Sequence, residues 1–312
     1  MSHNFKMKPT GQNTQGIIYV VLAYVSWGLL PLYWKYLDAI PAMNILAHRI
    51  LWSSVFTLTL CLFIKREELR KYFFNPKSLV KLAITGILVS TNWGVFIYAV
   101  NSGQLIEAAL GYFINPLVCI VLGMVFLGEK LNKTQLAAFF LAMVGVAYLT
   151  INFGRFPWIA IFLALSFGTY GLLKKKMNYD SMSALAVETT LVAPIALGYL
   201  IFGAVIQLPL NDGAAIQFPV FLTQHYSIMI MLVFSGVITA LPLYWFGMAA
   251  VKIPLYSVGF FQYIAPSMKL FIGVYLFHEI FSVTHVVSFL LIWAGLALYI
   301  GDMIVKFRKN TK

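Results

Sequence analysis

Ten apolar runs follow one another along this chain with little between them, near 16–36, 42–64, 79–101, 104–127, 134–151, 157–176, 182–205, 227–249, 254–277 and 283–304. Each is about long enough to cross the hydrocarbon core of a bilayer, which takes roughly 20 residues as a helix. Backbone placed in lipid must satisfy its own N–H and C=O groups, and runs of this length do so only as helices. The chain is 61% hydrophobic and 10% charged, far too little charge to clothe a soluble surface. An all-α integral membrane protein of ten transmembrane helices is the expected fold. Ten spans leave little chain for a soluble domain.

The net charge of +12 raises nucleic acid as a partner, and the placement of the charges argues against it. With the N-terminus inside, the inner segments hold Lys6, Lys8, Lys65, Arg66, Arg70, Lys71, Lys77, Lys81, Lys130, Lys133, Lys174 to Lys176, Lys252, Lys306, Arg308, Lys309 and Lys312. The outer loops hold only Arg155, while Lys35, Arg49 and Lys269 lie within or at the ends of spans. This asymmetry is the positive-inside bias, and it sets both termini in the cytoplasm. Residues 1–15 form a polar tail without a cleavage site, so the first span reads as an uncleaved anchor in a plasma membrane. Cys61 and Cys119 both fall inside spans, which indicates neither a disulfide framework nor a metal pair.

One stretch returns. Residues 107–129, EAALGYFINPLVCIVLGMVFLGE, carry Pro116 near the middle, and 257–279 carry Pro266 at the same place 150 residues on. Laid over 257–299 without a gap, 107–149 gives nine identities in 43 positions. They include Pro116 with Pro266, Gly123 with Gly273, Glu129 with Glu279 and Gly145 with Gly295. An earlier echo, Ser26-Trp27-Gly28 beside Ser166-Phe167-Gly168, is offset by 140 residues. The change in offset fits a longer outer loop near 206–226. Two units of five spans each follow, 16–151 and 157–304, with a basic tail at 305–312. An odd number of spans per unit makes the second enter from the opposite side, a 5+5 inverted repeat. Repeats of this kind, with proline-interrupted spans in matching places, build a central site between the halves and work by alternating access.

Asn132 and Ser282 sit at equivalent places and are expected to N-cap the fifth and tenth spans. Pro157 and Pro254 open the sixth and ninth. Pro31, Pro116, Pro194, Pro242 and Pro266 are interior and are expected to kink their helices or break the ladder.

Ionisable groups inside a bilayer are costly, so each is a candidate. Glu188, some six residues into the seventh span, is a candidate proton carrier or a carboxylate pinned to a neighbouring lysine. His48 is a candidate relay or a hydrogen-bonded core histidine. Arg49 needs an anion, either Glu107 at the outer start of the fourth span or a substrate. Lys269 shares a helical face with Gln262, Pro266 and Gly273; it attracts anions, pairs with Asp38 or Glu107, or snorkels outward. Glu107, Gly111 and Asn115 stack beside Pro116, where Asn115 serves freed backbone groups or a ligand. Asn92, Trp93, Trp27, Tyr98, Tyr112, Tyr244 and Trp245 offer polar groups and rings for interfacial belts or for stacking on a ligand. Glu129 and Glu279 are expected to cap loops. No catalytic or metal motif and no P-loop occurs, so neither a cofactor nor a metal is expected, and ATP hydrolysis by this chain is not.

The strings GIIYVVLAYVSWGLLPLYWKYL, AHRILWS, NWGVFIYAVNSG, EAALGYFINPL and FFQYIAPS, spread over 16–303, resemble the RarD-type subfamily of the EamA branch of the drug/metabolite transporter superfamily. The resemblance implies a central cavity lined by spans 1–4 and 6–9, with spans 5 and 10 peripheral. On that reading Arg49, Asn92, Trp93, Glu107, Asn115, Glu188, Gln262 and Lys269 are cavity residues by position. It implies a secondary transporter exporting small amino-acid-like metabolites or amphiphilic drugs across the plasma membrane; the intramembrane position of Glu188 adds an expectation of proton coupling through it, and the chain is expected to act as a monomer or homodimer. The alternative is a membrane-embedded enzyme or flippase acting on lipid-linked substrates. A channel would need a continuous polar face along several helices, and the polar residues gather instead at mid-depth and the outer side.

Overall fold

The computed structural model describes residues 10–202, 226–276 and 282–310. All regular structure among these residues is helical. In chain order the helices are α1 (Thr10–Trp34), a 3-10 turn at Lys35–Leu37, α2 (Ala42–Ile64), α3 (Arg66–Phe74), α4 (Pro76–Asn101), α5 (Leu105–Leu127) and α6 (Lys133–Asn152). Then follow α7 (Trp158–Met177), α8 (Ser181–Phe202), α9 (Tyr226–Lys252), α10 (Leu255–Gln262), α11 (Ile264–Leu276) and α12 (Val283–Asn310). Eight of them, α1, α2, α4, α5, α6, α8, α9 and α12, are each long and apolar enough to cross a membrane. Helix α7 carries Lys174, Lys175 and Lys176 in its last turn. The ninth apolar run is the exception, being divided between α10 and α11.

That division has a local cause. Pro266 has no N–H to donate to the carbonyl of Gln262, and α10 stops at that residue. Tyr263 turns its N–H to Phe260 O at 3.3 Å, and Ser267 resumes the ladder on Tyr263 O at 3.2 Å. Pro31, Pro116, Pro194 and Pro242 lie inside helices that continue through them. The two matched prolines therefore behave differently: α5 runs on through Pro116, and only the helix holding Pro266 is interrupted.

The ends are built as helix ends should be. Asn132 forms a full capping box with Gln135 at the start of α6, leaving no first-turn donor of that pair unsatisfied. Ser282 Oγ accepts from His285 N at the start of α12. Asn75 caps α4 ahead of Pro76, and Asp180 caps α8 by accepting from Ser183 N at 3.0 Å. Pro157 and Pro254 stand one residue before α7 and α10. Glu279 and most of the 206–226 loop fall outside the described residues.

Helix α2 packs on α8 and α9, α4 on α7 and α8, α5 on α7 and α10, α1 on α9 and α11, and α6 on α12. Small residues permit the closest approaches. A Cβ on Gly28 of α1 would stand 2.8 Å from Met268 of α11, and one on Gly168 of α7 would stand 2.7 Å from Val118 of α5. Similarly, a Cβ on Gly145 of α6 would meet Ser288 O of α12 at 2.8 Å, and one on Gly295 of α12 would meet Ala138 O of α6 at 2.6 Å. Apolar side chains such as Phe63, Phe126, Leu136 and Phe234 face outward around the bundle, as lipid contact requires. Between α2 and α4, the short α3 lies with Leu69 and Tyr72 buried, and Tyr72 stacks on Tyr179 at 4.8 Å.

Candidate functional site

Arg49 stands seven residues into α2, about 10 Å along its axis at 1.5 Å per residue. Its Nε donates to Thr239 Oγ1 of α9 at 2.9 Å. The guanidinium also lies over the Trp34 ring at 4.8 Å and the Trp93 ring at 5.1 Å. Lys269 reaches the same region from α11, with Nζ 3.9 Å from the centre of the Tyr112 ring. Phe96, one turn along α4 from Trp93, supports that ring edge-on at 5.9 Å. Six helices from both halves of the chain thus converge on two cations and their aromatic walls. Arg49, Lys269, Trp34, Trp93 and Tyr112 each keep part of their surface exposed.

Neither expected protein partner reaches these cations. Glu107 is the first acid of α5 and faces α7 and the loop before it, accepting from Ile159 N at 2.8 Å and pairing with Arg155 at 3.1 Å. Its place at a helix start suits a carboxylate that serves a neighbouring helix start, and that use takes it out of Arg49's reach. Asp38 is exposed beyond the end of α1 and forms no ion pair with Lys269. Outward snorkelling of Lys269 is also set aside, because its ammonium lies on Tyr112 inside the bundle.

At the other end of the bundle Glu188 sits in a buried network. Its carboxylate takes Thr85 Oγ1 at 2.6 Å, both of its oxygens take Lys174 Nζ at 2.9 and 3.0 Å, and Tyr170 OH approaches at 3.3 Å. Lys174 and Lys175, counted above as loop charges, are buried side chains. Lys175 binds the Ala250 and Ile253 carbonyls at the end of α9 and lies 3.8 Å from Glu129. Glu129 accepts from Leu255 N and Tyr256 N at 2.8 and 2.9 Å, so the expected cap is formed on the first turn of α10. A narrow cavity bordered by Ile50, Ser90, Trp93 and Thr189 ends on Glu188. Trp93 therefore stands between the cation cluster and that network.

The remaining candidates hold helices together. Asn92 Nδ2 donates to Leu163 O and Ser166 Oγ at 2.9 and 2.8 Å, joining α4 to α7. Asn115 Nδ2 donates to Ala164 O at 2.6 Å, and its Oδ1 accepts from Gln262 Nε2. Those two amides tie α5, α7 and α10 at the level of the prolines. His48 is buried and its Nδ1 accepts from Trp52 Nε1 at 3.3 Å. Trp27 packs among Tyr24, Phe167 and Phe246, while Tyr98 meets Trp158 and Tyr244 meets Tyr19. Trp245 packs against the main core. Trp34, Phe96 and Thr239 were missed. Trp34 reads as a belt residue at a span end, and neither a lone threonine nor a lone phenylalanine in an apolar run announces itself.

Residues 14–151 match the EamA-like transporter family. An uncharacterised transporter of Bacillus subtilis (strain 168), YojE, is 42% identical over 306 residues, covering 96% of this chain and 98% of that protein. The RarD protein of Streptomyces exfoliatus is 39% identical over 97% of this chain and 94% of its own. That of Escherichia coli (strain K12) is 37% identical over 96% and 99%. A solved crystal structure shares the fold with a TM-score of 0.67 at 16% identity, over 94% of this chain and 97% of that one. Identity at this level from end to end places the chain: it belongs to the EamA-like transporter family of the drug/metabolite transporter superfamily, among the RarD-type proteins, and is a multi-pass membrane transporter.

Proposed function

We propose that this chain is a secondary transporter of the plasma membrane that exports small organic solutes by alternating access, with its transport site at Arg49, Lys269, Trp34, Trp93 and Tyr112. The observation that carries the reading is the convergence of α1, α2, α4, α5, α9 and α11 on that cluster. Both halves contribute, as a site at a repeat interface requires.

The ten-span, 5+5 inverted arrangement is part of the same proposal, with units 16–151 and 157–304 and α10–α11 as one broken span. Paired contacts support it. Gly28 meets Met268 as Gly168 meets Val118, and these partners are related by the offsets of 140 and 150 residues. Gly145 meets the Ser288 carbonyl as Gly295 meets that of Ala138, again at an offset of 150. A two-fold relation between the units makes each contact twice. Both termini are assigned to the cytoplasm from the lysine and arginine bias; Lys174 and Lys175 lie at the inner end of α7 even though buried.

Proton coupling is assigned to Glu188, which lines one narrow cavity together with Trp93. Release of Lys174 from Glu188 on protonation would free the inner ends of α7 and α8. Reconstituted vesicles test both parts of the reading. Substrate-driven proton uptake should be present in wild type and absent in Glu188→Gln, with substrate counterflow retained in that variant. Unchanged proton flux in Glu188→Gln removes the coupling role, and loss-free transport in an Arg49→Gln, Lys269→Gln variant removes the site.

A further inference from the structure

We infer that the site selects small organic anions, with a carboxylate or phosphate head held between Arg49 and Lys269 and an apolar body against the aromatic walls, and that it discriminates against zwitterions and cations. The inference rests on the proposed transport site and sharpens it.

A census of acids supports it. The chain has ten aspartates and glutamates, and eight of them are among the described residues. Glu107 is held by Arg155 and Ile159 N, and Glu129 by the first amides of α10. Glu188 is held by Lys174, Asp180 by Lys65 and Asp302 by Lys306. Glu67, Glu68 and Asp38 lie outside the core, in or beside exposed segments. Not one of the eight pairs with Arg49 or Lys269.

Two like charges in one partly buried site repel each other, and aromatic faces plus one threonine hydroxyl compensate only part of what water would supply. An anion placed between them supplies the rest through charge-assisted hydrogen bonds, and the free planar edge of a guanidinium matches both carboxylate and phosphate oxygens. The same census acts against other ligand classes. An amino acid brings an ammonium group, and the described residues offer it no carboxylate here. A lipophilic cation would add a third positive charge to a site that already holds two. Specificity thus comes from what the site lacks as much as from what it presents.

Ligands sharing a phenyl body but differing in charge test the inference on the purified full-length protein: hydrocinnamate, phenyl phosphate, phenylalanine, phenethylammonium and phenylpropanol. Binding is read by tryptophan quenching and calorimetry. In wild type, at least one of the two anions should bind about tenfold or more tighter than phenylpropanol, the span of one charge-assisted hydrogen bond. Phenylalanine and phenethylammonium should bind no better than the alcohol. The ratio of hydrocinnamate to phenyl phosphate separates a carboxylate site from a phosphate site. Arg49→Gln and Lys269→Gln should each lower anion affinity about tenfold or more and shrink the wild-type ratio of anion to phenylpropanol affinity. The wild-type charge series decides the matter even if a variant fails to fold. Should phenylalanine or phenethylammonium bind tightest and be lost in Trp93→Ala, the anion inference falls and the site stands. Absence of binding by every ligand overturns both the inference and the site on which it rests.

Discussion

The ion pairs of this bundle differ in what each residue is asked to do. Glu188 and Lys174 are both buried, and removing one leaves the other charged without a partner. Loss of one partner of a buried pair costs about 3–5 kcal/mol. Glu188→Gln alone is therefore expected to lower thermal stability strongly, and a Glu188→Gln, Lys174→Met double variant to recover much of it. A double-mutant cycle on melting in detergent measures the coupling; additive losses would show that the two side chains act independently. Asp180 lies outside the spans and responds to pH. Burial pushes its carboxyl up, but the Ser183 amide and hydroxyl and Lys65 outweigh that and hold it below the ordinary carboxylate value. With the folded value depressed, its contribution is fully present above the unfolded value near 3.9 and is lost as pH falls through the folded one. Asp180→Asn should thus flatten the acid limb of the stability profile below about pH 4 and leave neutral pH less stable than wild type. Charges in apolar runs mark themselves as candidates, so Arg49, Glu107, Glu188 and Lys269 were legible in the sequence. A lysine as the partner of Glu188 was legible too, whereas the partners of Arg49 and Glu107 were not. The sequence sets both Glu107 and Arg49 in the outer half, but only the rotation of α5 against α7 sends the carboxylate to Ile159 and Arg155.

At the scale of elements, α5 organises its neighbours from both ends. Glu107 at its start serves the first turn of α7, and Glu129 just after its end serves the first turn of α10. Because α10 is only eight residues long, its first-turn amides are a large share of its hydrogen bonding. Glu129→Ala should cost about 1–2 kcal/mol, in the range of a lost N-cap, and should raise hydrogen exchange at Leu255 and Tyr256 ahead of the rest of the bundle. Uniform exchange across the bundle would contradict a local cap. The positions of eight spans and both asparagine and serine caps were readable from apolar length and local chemistry. The behaviour of the prolines was not, since a proline states which hydrogen bond is missing but not whether its neighbours hold the helix straight. Pro116 is braced where α10 crosses at Gly259; Pro266 has the break beside it.

Across the whole molecule, the proposed two-fold relation makes a strong demand: equivalent contacts should fail equally. Gly145→Val and Gly295→Val each push α6 from α12 against a backbone carbonyl, and overpacking of this kind costs about 1–3 kcal/mol. Comparable losses in melting temperature are expected, whereas a large loss in one and none in the other would argue against equivalence of the units. The repeat could be traced in the sequence only through its prolines, glycines and glutamates, because leucine and phenylalanine matches between membrane helices occur by chance. The aromatic walls of the site were least visible, since Trp34, Trp93 and Tyr112 come together only when α1, α4 and α5 are packed. Alternating access to that cluster is the central claim. With Cys61 and Cys119 replaced by alanine, a single cysteine at Phe96→Cys, beside Tyr112, would be challenged with a membrane-impermeant maleimide from each side of oriented vesicles. Labelling from both sides, slowed from both by a bound substrate, is the predicted result. Labelling from one side alone, or from neither, would contradict the account.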